Sequence, residues 1–262
     1  MSTSSVIYLC INLPWAEERR GSITAQAQRL GLNVQFVEAI AGRDLTSDVP
    51  EYDKKKRSKA YTYDLSRNEQ ACMLSHIKAL KTFLASDAEY AVIMEDDAVM
   101  ADNIDAGVHE LIDHLQGWET AKLYTDDGGK LYPLGDKGSV GSNLRAVFPK
   151  KLVWVLVGWL WTRTGAEKLL AELGSFSLLA DMQIGHIILQ KQIPTIGVTP
   201  SLITTSDPNN ESSTIDTAAT PRTLGGDRRT FMQYLRYRFS VWSIAWLKIR
   251  MRRMLRRRLR RV

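Results

Sequence analysis

The chain has 262 residues, of which 44% are hydrophobic and 24% charged. That balance sustains a sizeable core in one or two domains and excludes a mostly disordered or collagen-like chain. The formal charge of +6 conceals a division: Arg228 to Val262 holds twelve arginines and Lys248 without one acid, whereas the preceding 227 residues hold 22 basic and 29 acidic side chains.

Val6 to Ile11 is rich in strand formers and runs out at Asn12 and Pro14. The polar residues before it carry no basic run of the kind that opens a signal peptide, which points to a cytoplasmic location. Trp15 to Leu30 follows with a helical pattern, Glu17 and Glu18 early and Gly31 as its stop. Residues 33–38 read as a second strand, and a strand, helix, strand opening predicts a parallel α/β sheet built from crossover units. The polar stretch 44–67, which contains Lys54-Lys55-Lys56-Arg57, shows no period and reads as an ordered loop or lid.

Cys72, Leu74, Ile77, Leu80, Phe83 and Leu84 recur at three- and four-residue steps and predict a helix over 68–85. A buried strand at 90–94 then delivers Glu95-Asp96-Asp97. Helices are expected at 103–115, 165–173 and 181–190, and strands at 121–124, 152–162 and 193–198. The longest apolar run, Leu152 to Trp161, is about half the length a membrane-spanning helix needs. Five glycines between Asp126 and Asn143 read as hairpins or a loop, and 204–226 as a surface crossing. Cys10 and Cys72 lack metal-ligand spacing and read as small buried hydrophobes.

The sharpest feature is the acidic triplet. Ligands of open α/β sheets bind beyond the carboxyl ends of the strands, which is where these residues emerge. Three adjacent anions repel and call for a cation; if the strand continues, Glu95 and Asp97 face one side. Carboxylate oxygens suit Mg²⁺ or Mn²⁺. A solvated strand end leading into a helix is the competing reading.

Ile11-Asn12-Leu13 with Arg19-Arg20, Val37 to Gly42, Asn68 to His76 and Ala91 to Asp97 resemble, in order and approximate spacing, glycosyltransferase family 25. The likeness continues more weakly through Val157 to Ala166, then at Asp181, and last at Pro200-Ser201-Leu202 and Ser212-Ser213-Thr214-Ile215, so that it covers about residues 5–216. It implies an A-type glycosyltransferase fold, a Rossmann-like central sheet flanked by helices, over 1–226. It also implies a nucleotide-sugar donor, UDP-galactose above others, and inversion at the anomeric carbon. The acceptor implied is a lipooligosaccharide, lipopolysaccharide or other lipid-linked glycan. On this resemblance Asp97 and Glu95 hold Mn²⁺ or Mg²⁺ on the donor, with Asp96 at the ribose. Asn12, Arg20, Ser75 and His76 are the further donor-side candidates. Asp181 is the candidate base for the acceptor hydroxyl, a helix cap being its other reading; His186 lies near it in sequence. Trp159-Leu160-Trp161, bulkier than the family pattern, bears on the acceptor pocket.

In the region 227–262, Phe231, Leu235, Phe239, Trp242, Trp246 and Ile249 form an apolar stripe continued by Leu247, Met251, Met254, Leu255, Leu259 and Val262, with arginines between. A basic amphipathic helix of this kind suits an anionic membrane surface, on the inner face of the cell membrane. Packing on the acidic body is its other reading. Two rivals to a membrane-associated transferase are a metal-dependent phosphoesterase acting on nucleotide-sugars and a nucleic-acid-binding protein using the arginine-rich tail.

Overall fold

The computed structural model describes residues 4–125, 131–140, 144–149, 155–206 and 231–261. The chain opens with β1 (Val6–Asn12), α1 (Glu17–Leu30) and β2 (Val34–Glu38), a crossover that lays β1 and β2 parallel. Gly31 ends α1 with φ at 67°, a left-handed turn that glycine adopts without strain. Next come α2 (Lys54–Ser58), α3 (Arg67–Ala85), β3 (Tyr90–Glu95), β4 (Ala98–Met100) and α4 (Ile104–His114). Five short strands follow: β5 (Leu115–Gln116), β6 (Thr120–Lys122), β7 (Leu131–Pro133), β8 (Ser139–Val140) and β9 (Leu144–Pro149). The remainder is β10 (Gly158–Thr162), α5 (Arg163–Leu170), α6 (Ala180–Gln190), β11 (Thr195–Thr199), β12 (Ile203–Thr205), α7 (Phe231–Arg258) and β13 (Arg260–Arg261).

One large sheet runs in the order β2, β1, β3, β10, β6, β11, β9, β7, with β8 added to β9. Strand β1 lies parallel to β2 and β3, as the opening predicts. Beyond β3 the sheet becomes mixed: β10 is antiparallel to β3 and β6, and β11 is parallel to β6 but antiparallel to β9. Only a crossover forces parallel neighbours, and β10 reaches β3 after a long excursion through α4 and the β5 to β9 region. The central sheet flanked by helices fits a glycosyltransferase fold.

Helix α3 shows how local chemistry sets an element's start. Ser66 Oγ accepts a hydrogen bond from the Glu69 backbone N–H, and Glu69 Oε2 accepts one from Ser66 N–H at 2.8 Å, a reciprocal cap. The stretch 44–67, expected as a loop or lid, contains α2 and is pinned down. Arg57 is 1% exposed, its guanidinium over the Tyr61 and Tyr63 rings and donating to the Ser177 carbonyl. A buried cation anchored by aromatic faces and carbonyls is a foundation, not a hinge.

Charge and apolar spacing suggest a separate tail from residue 227. The structure forms α7 and seats its last turns on the body. Met251, Leu255 and Leu259 are buried in the common core, β13 pairs antiparallel with β5, and Arg258 reaches Glu119 at 3.1 Å. Leu255→Ala is therefore expected to destabilise the whole chain by about 2–5 kcal/mol, as for other fully buried leucines. Urea unfolding measures this; a change near zero would mean that the helix end is undocked.

Candidate active site

Three parallel strands end at one edge of the sheet: β1 at Asn12, β2 at Glu38 and β3 at Glu95. Together with the first turn of α1 and the first half of α3, these ends frame a cavity of about 450 Å³. Strand β3 occupies this place because Ala91 to Met94 are apolar and buried on both faces, which makes it an inner strand between β1 and β10. The segment after β2 passes close to α3. A Cβ on Gly42 would lie 2.5 Å from the Asn68 backbone nitrogen, so only glycine fits there. Ser75 fastens the same segment, its Oγ accepting from Ile40 N–H and donating to the Ala71 carbonyl.

All three acids of the triplet line the cavity, each in a different setting. Because β3 stops at Glu95 and the chain turns at Asp96 and Asp97, strand alternation does not carry through the triplet. Glu95 presents one carboxylate oxygen to His76 Nε2 at 3.0 Å. Asp96 is clasped on both oxygens, by Asn12 Nδ2 at 2.9 Å and Arg19 at 3.0 Å. Asp97 accepts from the Thr205 hydroxyl at 2.7 Å through Oδ2, while its buried Oδ1 has no hydrogen-bond partner. Burial first, and then the charge of Glu95, pushes the Asp97 carboxyl above its ordinary range.

A buried carboxylate oxygen without a donor is costly unless something cationic meets it. The residues present therefore fit a divalent cation, held by Asp97 Oδ1 with Glu95 beside it. Asp96 is less available, since Asn12 and Arg19 already occupy it. The nucleotide-side candidates are placed unevenly. Ser75 and His76 lie on the cavity wall. Asn12, 2% exposed, lies outside the lining and acts on the site through Asp96. Arg20 points elsewhere, stacked over the Phe36 ring at 4.0 Å, and its neighbour Arg19 is the arginine that faces the cavity.

Comparison with known proteins bears on this arrangement. The family model described as "Glycosyltransferase family 25 (LPS biosynthesis protein)" matches residues 6–184, which takes in the cavity-forming strands, the triplet and Asp181. The chain belongs to glycosyltransferase family 25. A relative named "Glycosyltransferase 25 family member", from Aedes aegypti, is 29% identical over 185 residues. That match covers 64% of this chain and 28% of the relative, so the chain spans well under half the length of that protein.

Within this family 25 site, Asp181 sits in the first turn of α6, after the helix-capping residue Leu179. It is not among the side chains that line the cavity, although its charge is felt at Cys72, a residue that is. Burial is the main cause that raises its pKa. Hydrogen bonds from Met182 N–H, at 2.6 Å, and Val155 N–H oppose that rise, Glu95 adds to it, and Lys122 lowers it. His186 on the same helix has its pKa lowered by burial and then by Lys248 and Lys56, with a buried, unpartnered Nε2.

Several residues beyond the sequence reading belong to the site. Thr205 comes from β12, 108 positions after the acid it holds. Trp15, 43% exposed, stands at the cavity with the Arg43 guanidinium 3.3 Å from its ring centroid. Exposed tryptophan just after a strand end was the available signal. Cys72, expected as a buried hydrophobe, lies on the cavity wall, and Cys10 is fully buried. Trp159 and Trp161 belong to β10, stacked at 5.7 Å and buried, so their bulk fills the core beneath His76.

Proposed function

We propose that this chain is an inverting, A-type glycosyltransferase. It moves a hexose, galactose from UDP-galactose above others, onto a lipooligosaccharide, lipopolysaccharide or other lipid-linked glycan. The observation that carries the reading is Asp97 Oδ1, buried without a donor at the end of a central strand, on the wall of a cavity large enough for a nucleotide-sugar. Mn²⁺ or Mg²⁺ bound there supplies charge neutralisation for the departing diphosphate. Arg19 and Asn12 hold Asp96 in one orientation toward the donor. The Trp15 ring, fixed by Arg43, offers a flat face against which a nucleobase can stack.

Inversion requires a base that takes the acceptor hydroxyl proton as the oxygen attacks the anomeric carbon from the face opposite the diphosphate. Asp181 fits this role because its raised pKa makes its carboxylate a better proton acceptor than an ordinary aspartate. The test is a transfer assay with UDP-sugars and a lipooligosaccharide acceptor, with and without chelator. Sugar transfer that needs both acceptor and divalent ion is expected. Donor cleavage at the same rate without acceptor would replace this reading with a phosphoesterase.

No described helix is long and apolar enough to cross a membrane. Helix α7 nevertheless exposes Trp246 and Ile249 beside arginines 250, 253, 256 and 257, while Met251 and Leu255 face the body. This outer face suits an anionic lipid surface, where a lipid-linked acceptor resides. Trp246→Ser with Ile249→Ser is expected to release the protein from vesicles containing acidic lipid, as measured by co-sedimentation. Retention equal to the unaltered chain would remove the membrane assignment.

A further inference from the structure

Cys72 and His76 stand four residues apart on α3 and so project from one face of that helix toward the end of β3. The Cys72 sulfur, a His76 ring nitrogen and a Glu95 carboxylate oxygen all lie within 4.8 Å of one another, and the three side chains share the cavity wall. Among the three acids only Glu95 joins this cluster: Asp96 is clasped by Asn12 and Arg19, and Asp97 is held by Thr205. Bonds of about 2.0–2.3 Å in a tetrahedral zinc centre place neighbouring ligand atoms about 3.3–3.7 Å apart. The observed separations, all within 4.8 Å, exceed that spacing by about 1.5 Å at most.

The donor set differs in kind from the oxygen-only set offered by Asp97. One thiolate, one imidazole and one carboxylate favour a borderline-soft cation over Mn²⁺ or Mg²⁺. We propose that Cys72, His76 and Glu95 form a zinc site in the cavity wall, distinct from the Asp97 position, with its fourth coordination place open to the cavity and filled by water. On binding, the Cys72 thiol gives its proton to buffer as the sulfur bonds Zn²⁺, and the proton shared by His76 Nε2 and Glu95 passes to His76 Nδ1 or to buffer, so that the contact between them is exchanged for two bonds to the ion. Because Glu95 serves both positions, Zn²⁺ withdraws it from the donor-side cation and inhibits transfer. This last consequence rests on the transferase reading above; zinc binding itself does not.

The full-length chain is titrated with Co²⁺ as a spectroscopic stand-in for Zn²⁺. The expected result is a thiolate-to-cobalt charge-transfer band that saturates at one equivalent, bleaches when Zn²⁺ is added, and is lost in Cys72→Ser and in His76→Gln. No band, or a band that persists in Cys72→Ser, overturns the site. Should those variants misfold, native-state alkylation followed by mass spectrometry decides. Zn²⁺ must slow modification of Cys72 at least tenfold while Mn²⁺ does not, and equal rates overturn the proposal. In the transfer assay, one equivalent of Zn²⁺ is expected to abolish activity at saturating Mn²⁺, and undiminished activity overturns the competition at Glu95. A chain that binds Co²⁺ through sulfur but transfers no sugar retains the zinc site and loses the transferase reading.

Discussion

Replacing Asp97 by asparagine is expected to lower sugar transfer by about 10²–10³-fold, the cost of removing one group that stabilises charge developing in a transition state. The same substitution is expected to raise the melting temperature of the ligand-free protein at neutral pH. Burial and Glu95 raise the Asp97 pKa, so its ionisation costs more in the folded chain than in the unfolded one. That penalty is absent below the ordinary carboxylate range, grows as pH climbs through it to the raised folded value, and is complete above. Asparagine removes the charge, keeps the shape and still accepts the Thr205 hydroxyl. The gain in melting temperature should therefore vanish in acid. Scanning calorimetry at two pH values and a transfer assay read both effects. A variant that transfers sugar at the normal rate, or that melts earlier at pH 7, contradicts the cation position.

Asp181→Asn is expected to reduce kcat by about 10²–10⁴-fold, the span of general-base contributions, with little change in donor KM. The pH profile separates this role from a structural one. With the carboxylate as base, activity of the unaltered enzyme falls as pH drops through the raised Asp181 pKa, and that acid limb disappears in the asparagine variant. If Asp181 only braces the start of α6 through the Met182 N–H, kcat and the limb persist. Stability then falls by about 0.5–2 kcal/mol, the usual cost of a lost helix-end bond.

Local pattern carried much of the architecture into view. The periodic apolar face of α3 and the run before Glu95 are strong signals because burial on one stripe, or on both faces, leaves a repeating mark in composition. The Ser66 and Glu69 cap, seen only in the structure, places the helix start at Arg67, one residue before the predicted 68. Strands β4 and β9 escaped because they are short or lie next to glycine-rich sequence. The antiparallel entry of β10 escaped because strand direction is set by the path between strands, not by residues within them.

The site divided along the same line. The triplet was visible as a local motif, whereas its partners Thr205 and Arg19 depend on tertiary placement. Adjacent positions on a helix point about 100° apart, so the phase of α1 alone decides that Arg19 meets Asp96 while Arg20 meets Phe36. For Cys72 the four-residue interval to His76 was present in the sequence; what it lacked was Glu95, supplied from another element across the cavity.

The ion pair between Arg19 and Asp96 takes one acid of the triplet out of play and leaves the other two facing the cavity. Asp96 is paired with Arg19 and Glu95 lies against His76, whereas the Asp97 carboxylate meets the Thr205 hydroxyl and no cation among the described residues. On the proposed transferase reading, a divalent ion bound at Asp97 would supply the positive charge that the described side chains do not bring to it.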